Sequence, residues 1–178
     1  MNETPQAYIA RLLGYTKGKN SLTILKTTPK KIEKVITNLS LAALRKKSAP
    51  NKWSICEIIS HLAETELVLG WRYRMIAEKN GVMIQPFEQD DWAKNSRYEK
   101  LHTFEMLEMY RVLRAANLKF IFGLPKKKFK NYGMHQERGK ETIAHLINLE
   151  AGHDLNHFQQ ITKIIKSLSF RAKREILY

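Results

Sequence analysis

Apolar residues return every three or four positions near the end of the chain: Ile143, Leu146, Ile147, Ala151, Phe158, Ile161, Ile164, Ile165 and Leu168. At about 100° per residue these positions share one arc, which predicts a helix from near Thr142 to about Leu168 with that arc against a core. The stretch NKWSICEIISHL carries the clearest start signal. Ser54 and Glu57 have the spacing of a capping box, and Trp53 and Ile58 occupy the two positions of a hydrophobic staple. That helix is predicted to run to about Lys79, where Asn80-Gly81 ends it. A third long helix fits Tyr98 to Phe122, with Phe104, Met109, Leu113, Phe120 and Phe122 spread over more than one face. Such a spread implies deep burial or a subunit contact. Thr4-Pro5 and Thr28-Pro29 each read as an N-cap followed by proline at the first helical position. The second leads into the stripe Ile32, Val35, Ile36 and Leu39. Residues 81–96 read as a loop and GLPKKKFKNYGMHQERGK as a basic connection, with no β-alternation of useful length. Four main helices and a short N-terminal one predict an all-α helical bundle, taken as a single domain over 1–178.

The arc of the last helix has polar intruders. Glu150, Asp154 and His157 fall inside it and His153 lies at its edge, while His145 and Lys163 point the opposite way. Burying such groups costs several kcal/mol unless they are hydrogen-bonded, paired or metal-bound, as an order of magnitude (about 2–7 for one unpaired polar group). Two histidines at i and i+4 can meet one ion. His61, two turns into the Trp53-Ser54 helix, flanks the stripe Ile55, Ile58, Ile59, Leu62 and Leu69 and offers a third ligand from a facing helix. Three neutral imidazoles hold a divalent ion without cancelling its charge and leave a position open for water or substrate. Glu57, Glu64, Glu66, Glu150 and Asp154 are candidates to hydrogen-bond the ligand rings, with room for one or two of them. His102 and His145 read as surface and His135 as a loop residue. HDLNH departs from the HExxH zinc-protease helix by a shorter acid, and no edge strand for substrate is foreseen, so that reading is set aside.

Composition widens the choice of partner. The chain has 178 residues and a formal net charge of +14, which favours anionic partners. Lys126, Lys127, Lys128 and Lys130 interleave with Phe129 and Tyr132, and Arg171, Lys173 and Arg174 cluster at the tail. These suit nucleic-acid phosphates and bases, yet no helix-turn-helix, zinc-finger or RNP pattern accompanies them, so weak, non-specific binding is the expectation. Cys56 is the only cysteine, no apolar run reaches the length of a membrane span, and MNETPQAYIA lacks a signal-peptide pattern. The expectation is a cytoplasmic protein with no membrane contact.

With these residues in view, the chain resembles the DinB/YfiT-like superfamily of metalloenzymes. The likeness rests on WSICEIISHLAETE (Trp53, Ser54, His61, Leu62) and on GKETIAHLINLEAGHDLNHFQQI, whose His153, His157 and Gln160 form a His-x-x-x-His-x-x-Gln pattern. The resemblance implies a four-helix bundle with a short extra N-terminal helix. It also implies one divalent metal, zinc or nickel, on His61, His153 and His157, and a homodimer. A hydrolase and a transferase dependent on a low-molecular-weight thiol both remain open, each acting on a small molecule. The alternative from another class is a basic nucleic-acid-binding protein or a non-catalytic metal-binding stress protein. Phe87, Asp90, Asp91 and Trp92 either line the substrate pocket or cap the bundle.

Overall fold

The computed structural model describes residues 3–175, with side chains to residue 169. The side chains of Arg171, Lys173 and Arg174 lie outside the described residues. Seven α-helices follow in order: α1 (Pro5–Thr16), α2 (Ser21–Ile36), α3 (Leu41–Arg45), α4 (Ile55–Glu78), α5 (Gln89–Asn95), α6 (Thr103–Gly123) and α7 (Ile143–Glu175). The long helices α2, α4, α6 and α7 form a four-helix bundle. Within it α4 packs on α6 and faces α7, while α1 and α2 pack on α7. The expected caps at α1 and α4 form. Thr4 accepts from the Ala7 amide ahead of Pro5, and Ser54 and Glu57 close a reciprocal capping box.

The structure departs from expectation in three respects. Residues 81–96, expected as a loop, contain β1 (Val82–Ile84), and the expected basic connection 123–140 contains β2 (Tyr132–His135) and most of β3 (Gly139–Thr142). These pair in the order β1-β2-β3, parallel then antiparallel. Strands of three or four residues are too short to display alternation. The same stretch holds α5. The third helix begins later than predicted, because Tyr98–Lys100 forms a separate 3-10 turn after Arg97 at φ 53. The buried Cys56 thiol donates to the Tyr98 and Leu101 carbonyls and holds that turn.

The third departure explains much of the bundle. Thr28-Pro29 does not start a helix; α2 starts at Ser21, where Asn20 accepts from the Thr23 amide, and Pro29 lies inside it. A proline there has no N–H for the Leu25 carbonyl four residues back. The Arg114 guanidinium of α6 supplies that hydrogen bond instead, at 2.9 Å. Arg114 is 3% exposed and also meets Glu66 of α4 at 2.6 Å and Asp154 and Glu150 of α7 at 2.7 and 3.1 Å. Tyr110 donates to Asp154, Tyr73 to Glu150, and Asn117 to both the backbone carbonyl and a carboxylate oxygen of Glu66.

This polar layer lies between two apolar cores. Leu25, Leu69, Leu118 and Ala151 belong to one, and Ile32, Leu62, Tyr110 and Ile161 to the other. Each of the four helices passes from one core to the other at the level of Arg114. Three carboxylates face one guanidinium, and burial together with Glu66 pushes the Glu150 carboxyl well above the usual carboxylate range.

Replacing Arg114 with Met is expected to destabilise the fold by about 3–5 kcal/mol, because it leaves buried carboxylates without a counter-charge. Urea unfolding measures it. Adding Glu66→Leu and Asp154→Leu to Arg114→Met should restore much of the loss. A single variant as stable as the wild type would show that the layer does not hold the bundle.

Candidate metal centre

The capping box starts α4 at Ile55, which sets His61 two turns in, on the face towards α7. One turn of α7 brings His153 and His157 to the same side. The Nε2 atoms of His61 and His153 lie 3.0 Å apart, as do those of His157 and His153. The candidate ligand atoms of all three lie within 4.8 Å of one another. Ligand nitrogens about 2.0–2.1 Å from a tetrahedral zinc stand about 3.3 Å apart, so the set matches one ion.

The proton on the His157 ring favours the same reading. His157 Nδ1 faces Gln160 Oε1 at 3.0 Å, and that oxygen can only accept. His157 therefore carries its proton on Nδ1 and bares a lone pair at Nε2. That lone pair is turned to the His153 Nε2, 3.0 Å away, at the point where the rings converge. His61 Nδ1 is buried without a partner. His61 is 1% and His157 6% exposed, and His153 is half-buried. Burial, then the neighbouring imidazoles, lowers His61 and His153 well below the ordinary histidine value, and burial lowers His157 to about 4. All three rings are neutral at pH 7, the form that binds metal. The Trp53 ring walls the site, 4.9 Å from His61 and stacked 6.4 Å from His157 between centroids.

The five candidate carboxylates are placed otherwise than the ring-bonding expectation had them. Glu57 accepts from Ser54 in the capping box and pairs with Lys47 at 2.8 Å. Glu64 accepts from the Tyr98 hydroxyl at 2.6 Å. Glu66, Glu150 and Asp154 face Arg114, with Tyr73 and Tyr110 completing their contacts. Among the described contacts no carboxylate bonds an imidazole. Arg114 is the residue that sequence reasoning missed. Its trace was there, since Leu107, Tyr110, Arg114, Leu118 and Ile121 lie on one stripe of α6 and are all buried. Of the remaining histidines, His102 is exposed and His145 half-buried, as surface residues can be. His135, expected in a loop, is buried in β2 at 2% exposure.

Two cavities approach the histidines. One, of about 590 Å³, is lined by His61 and His153 together with Phe87. The other, of about 620 Å³, is lined by His157, Trp53 and Asp90. Glu3, Tyr8 and Gln89 border both. α1 reaches this position because Gly152 of α7 has no side chain; a Cβ there would overlap the Leu12 backbone. Of the residues in the 81–96 stretch, Asp91 is exposed and lines neither cavity, and Trp92 packs on Phe87 with centroids 5.1 Å apart.

The fold and these histidines define a class, that of metal-binding helical bundles, and comparison with known proteins narrows it. The DinB superfamily matches residues 24–161. The chain belongs to that superfamily. A protein of Oceanobacillus iheyensis, provisionally named as a metal-dependent hydrolase, is 21% identical over 138 residues, 78% of this chain and 80% of that one. The solved structure of YfiT from Bacillus subtilis, described as a four-helix bundle of unusual topology and ascribed metal-dependent hydrolase activity, superposes with a TM-score of 0.78. It covers 84% of this chain and 86% of its own at 16% identity, and it shares the fold.

Buried imidazoles with lowered pKa values meet little proton competition for a metal until the pH nears those values. Zinc affinity, titrated against a chelator, is expected to stay nearly level from about pH 7.5 to 5.5 and to fall only towards about pH 4. A steep loss starting at about pH 6.5 would mean that the rings titrate as exposed histidines.

Proposed function

We propose that the protein is a metal-dependent enzyme acting on a small molecule, with zinc or nickel held by His61, His153 and His157. The observation that carries this reading is the convergence of three neutral Nε2 atoms at the edge of open cavities. A bound divalent ion supplies Lewis acidity there, polarising a carbonyl or lowering the pKa of a coordinated water or thiol. The chain's own residues do the rest. Gln160 fixes the His157 tautomer, Trp53 shields the rings from water, and Glu150 lines the cavity wall. The names of the relatives favour hydrolysis. A transferase using a low-molecular-weight thiol is the second reading, favoured by the presence of two cavities on the histidines, since transfer needs two substrates side by side. Product analysis in isotopically labelled water, with and without added thiol, separates the two.

The nucleic-acid alternative finds less support. Lys128 donates to the Ala77 carbonyl, Phe129 packs against a core cluster, and Lys140 covers one face of the Tyr132 ring, so these side chains are already engaged within the fold. Among the described residues no helix is long and apolar enough to cross a membrane. A cytoplasmic setting, where Cys56 stays free, belongs to the proposal. So does a homodimer, although most of the apolar excess of α6 is used inside the bundle. Phe104, Met109 and Phe120 pack on the cores, which leaves Val112 and Phe122 exposed. Sedimentation at micromolar concentration is expected to show a dimer, and a monomer would remove that part.

His157→Ala and His61→Ala are each expected to abolish stoichiometric binding of zinc or nickel, because two imidazoles hold such an ion poorly. His145→Ala, half-buried elsewhere on α7, should leave metal content unchanged. Elemental analysis after dialysis reads the contrast. A wild-type protein that retains neither metal would end the metalloenzyme reading.

A further inference from the structure

The cavity on His61 and His153 has a second end. His61, Thr65, Leu69 and Arg72 of α4 all line it. Their spacing keeps them within an arc of about 80°, with His61 and Arg72 about 16 Å apart along the helix. Leu12, Leu146 and Leu149 make the middle apolar. Thr65 Oγ1, partway along, is buried without a partner.

Arg72 is 6% exposed. Among the described contacts its guanidinium donates only to the Gln85 carbonyl, at 2.6 Å, and it pairs with no carboxylate. Arg114, equally buried, meets three. A buried cation without a counter-charge is costly, so this one calls for an anion. The Phe87 ring centroid lies 5.9 Å from the Arg72 Cζ, and the charged groups around it are committed elsewhere. Arg138, on the same cavity, is engaged by Glu141 at 2.7 and 3.0 Å. Burial, then the charge of Arg138, lowers Arg72 to about 10, partly offset by Glu141. His135 Nδ1 accepts from the Glu137 amide, which puts the ring proton on Nε2, buried without an acceptor. The cavity's own acids are committed or remote: Glu3 pairs with Arg11, Glu150 meets Tyr73 and Arg114, and Glu88 and Glu137 are exposed at the rim.

We propose that this cavity takes an elongated substrate with an apolar middle and an anionic head of the carboxylate class, the head on Arg72 and the reacting group at the three histidines. The proposal rests on the metal reading above and adds the substrate class to it. Arg72 acts here as a specificity-determining residue that sets which molecules are held in register with the histidines.

The test uses the zinc-loaded full chain and calorimetric titration. The probes are acetohydroxamate, a chain-length series of ω-carboxyalkyl hydroxamates, and the methyl esters of that series. At one chain length the acid is expected to bind about tenfold or more tighter than its ester, the equivalent of one charge-assisted contact. Arg72→Gln should remove that preference, Arg72→Lys should keep part of it, and both should bind acetohydroxamate as the wild type does. If acetohydroxamate binds but acid and ester bind alike at every length, the anionic head is wrong and the metal reading stands. If acetohydroxamate does not bind, the metal reading fails. The anion subsite is then decided on metal-stripped protein by whether alkyl carboxylates bind more tightly than the matching alcohols, and whether Arg72→Gln abolishes the difference.

Discussion

A single buried guanidinium organises this bundle. Arg114 reaches a carboxylate of α4, two of α7 and a backbone carbonyl of α2, so all four long helices meet at one side chain. Leaving any of those groups unpaired in a dry interior is costly, which makes the layer intolerant of register slips that an apolar core alone would accept. Pro29 has its place in the same arrangement. The hydrogen bond it cannot make within α2 frees the Leu25 carbonyl for Arg114.

The candidate metal centre lies beside this layer and depends on it. Asp154 follows His153 directly and Glu150 precedes it by one turn, so the contacts that fix those acids on Arg114 also fix the rotation of α7 about its axis. With that rotation set, His153 and His157 face His61 across the gap to α4, and Trp53 closes one side. The rings owe their neutrality to burial, and their orientation in part to Gln160. The acids near the histidines thus act on the ligands through helix placement, without touching them. The two polar systems divide the work: one holds the helices in register, and the other is left with unpaired nitrogens turned to a cavity.

Charge is treated differently at the two buried arginines of the described core. Arg114 is over-supplied with carboxylates, while Arg72 has a backbone carbonyl and the face of the Phe87 ring but no carboxylate. A fold that neutralises one buried cation so fully and leaves another facing a cavity has placed the second where a ligand can complete it.

Much of this architecture was legible in the chain itself. The capping box at Ser54 and Glu57, the Thr4-Pro5 start and the apolar arc of α7 are local signals, written within a few residues, and each marks a helix boundary or face that the structure has. His61, His153 and His157 were legible for the same reason, since helical periodicity alone puts each on a buried or flanking face. What escaped was decided between helices. Thr28-Pro29 carries the local sign of a helix start, but Asn20 caps α2 eight residues earlier and Arg114 takes up the hydrogen bond that proline forfeits. Glu66, Glu150 and Asp154 stood out as buried acids, yet their partner lies on α6, and no spacing along the chain relates Arg114 to them. The pairing of β1 with β2, which buries His135 beside Ile84, likewise joins segments about fifty residues apart in sequence, while β2 and β3 form a local hairpin too short to show alternation. Local hydrogen bonding and periodicity determine which residues face inward; only the packed tertiary structure decides which of those buried charges neutralise one another and which are left for a ligand, because that choice is made by distances across helices.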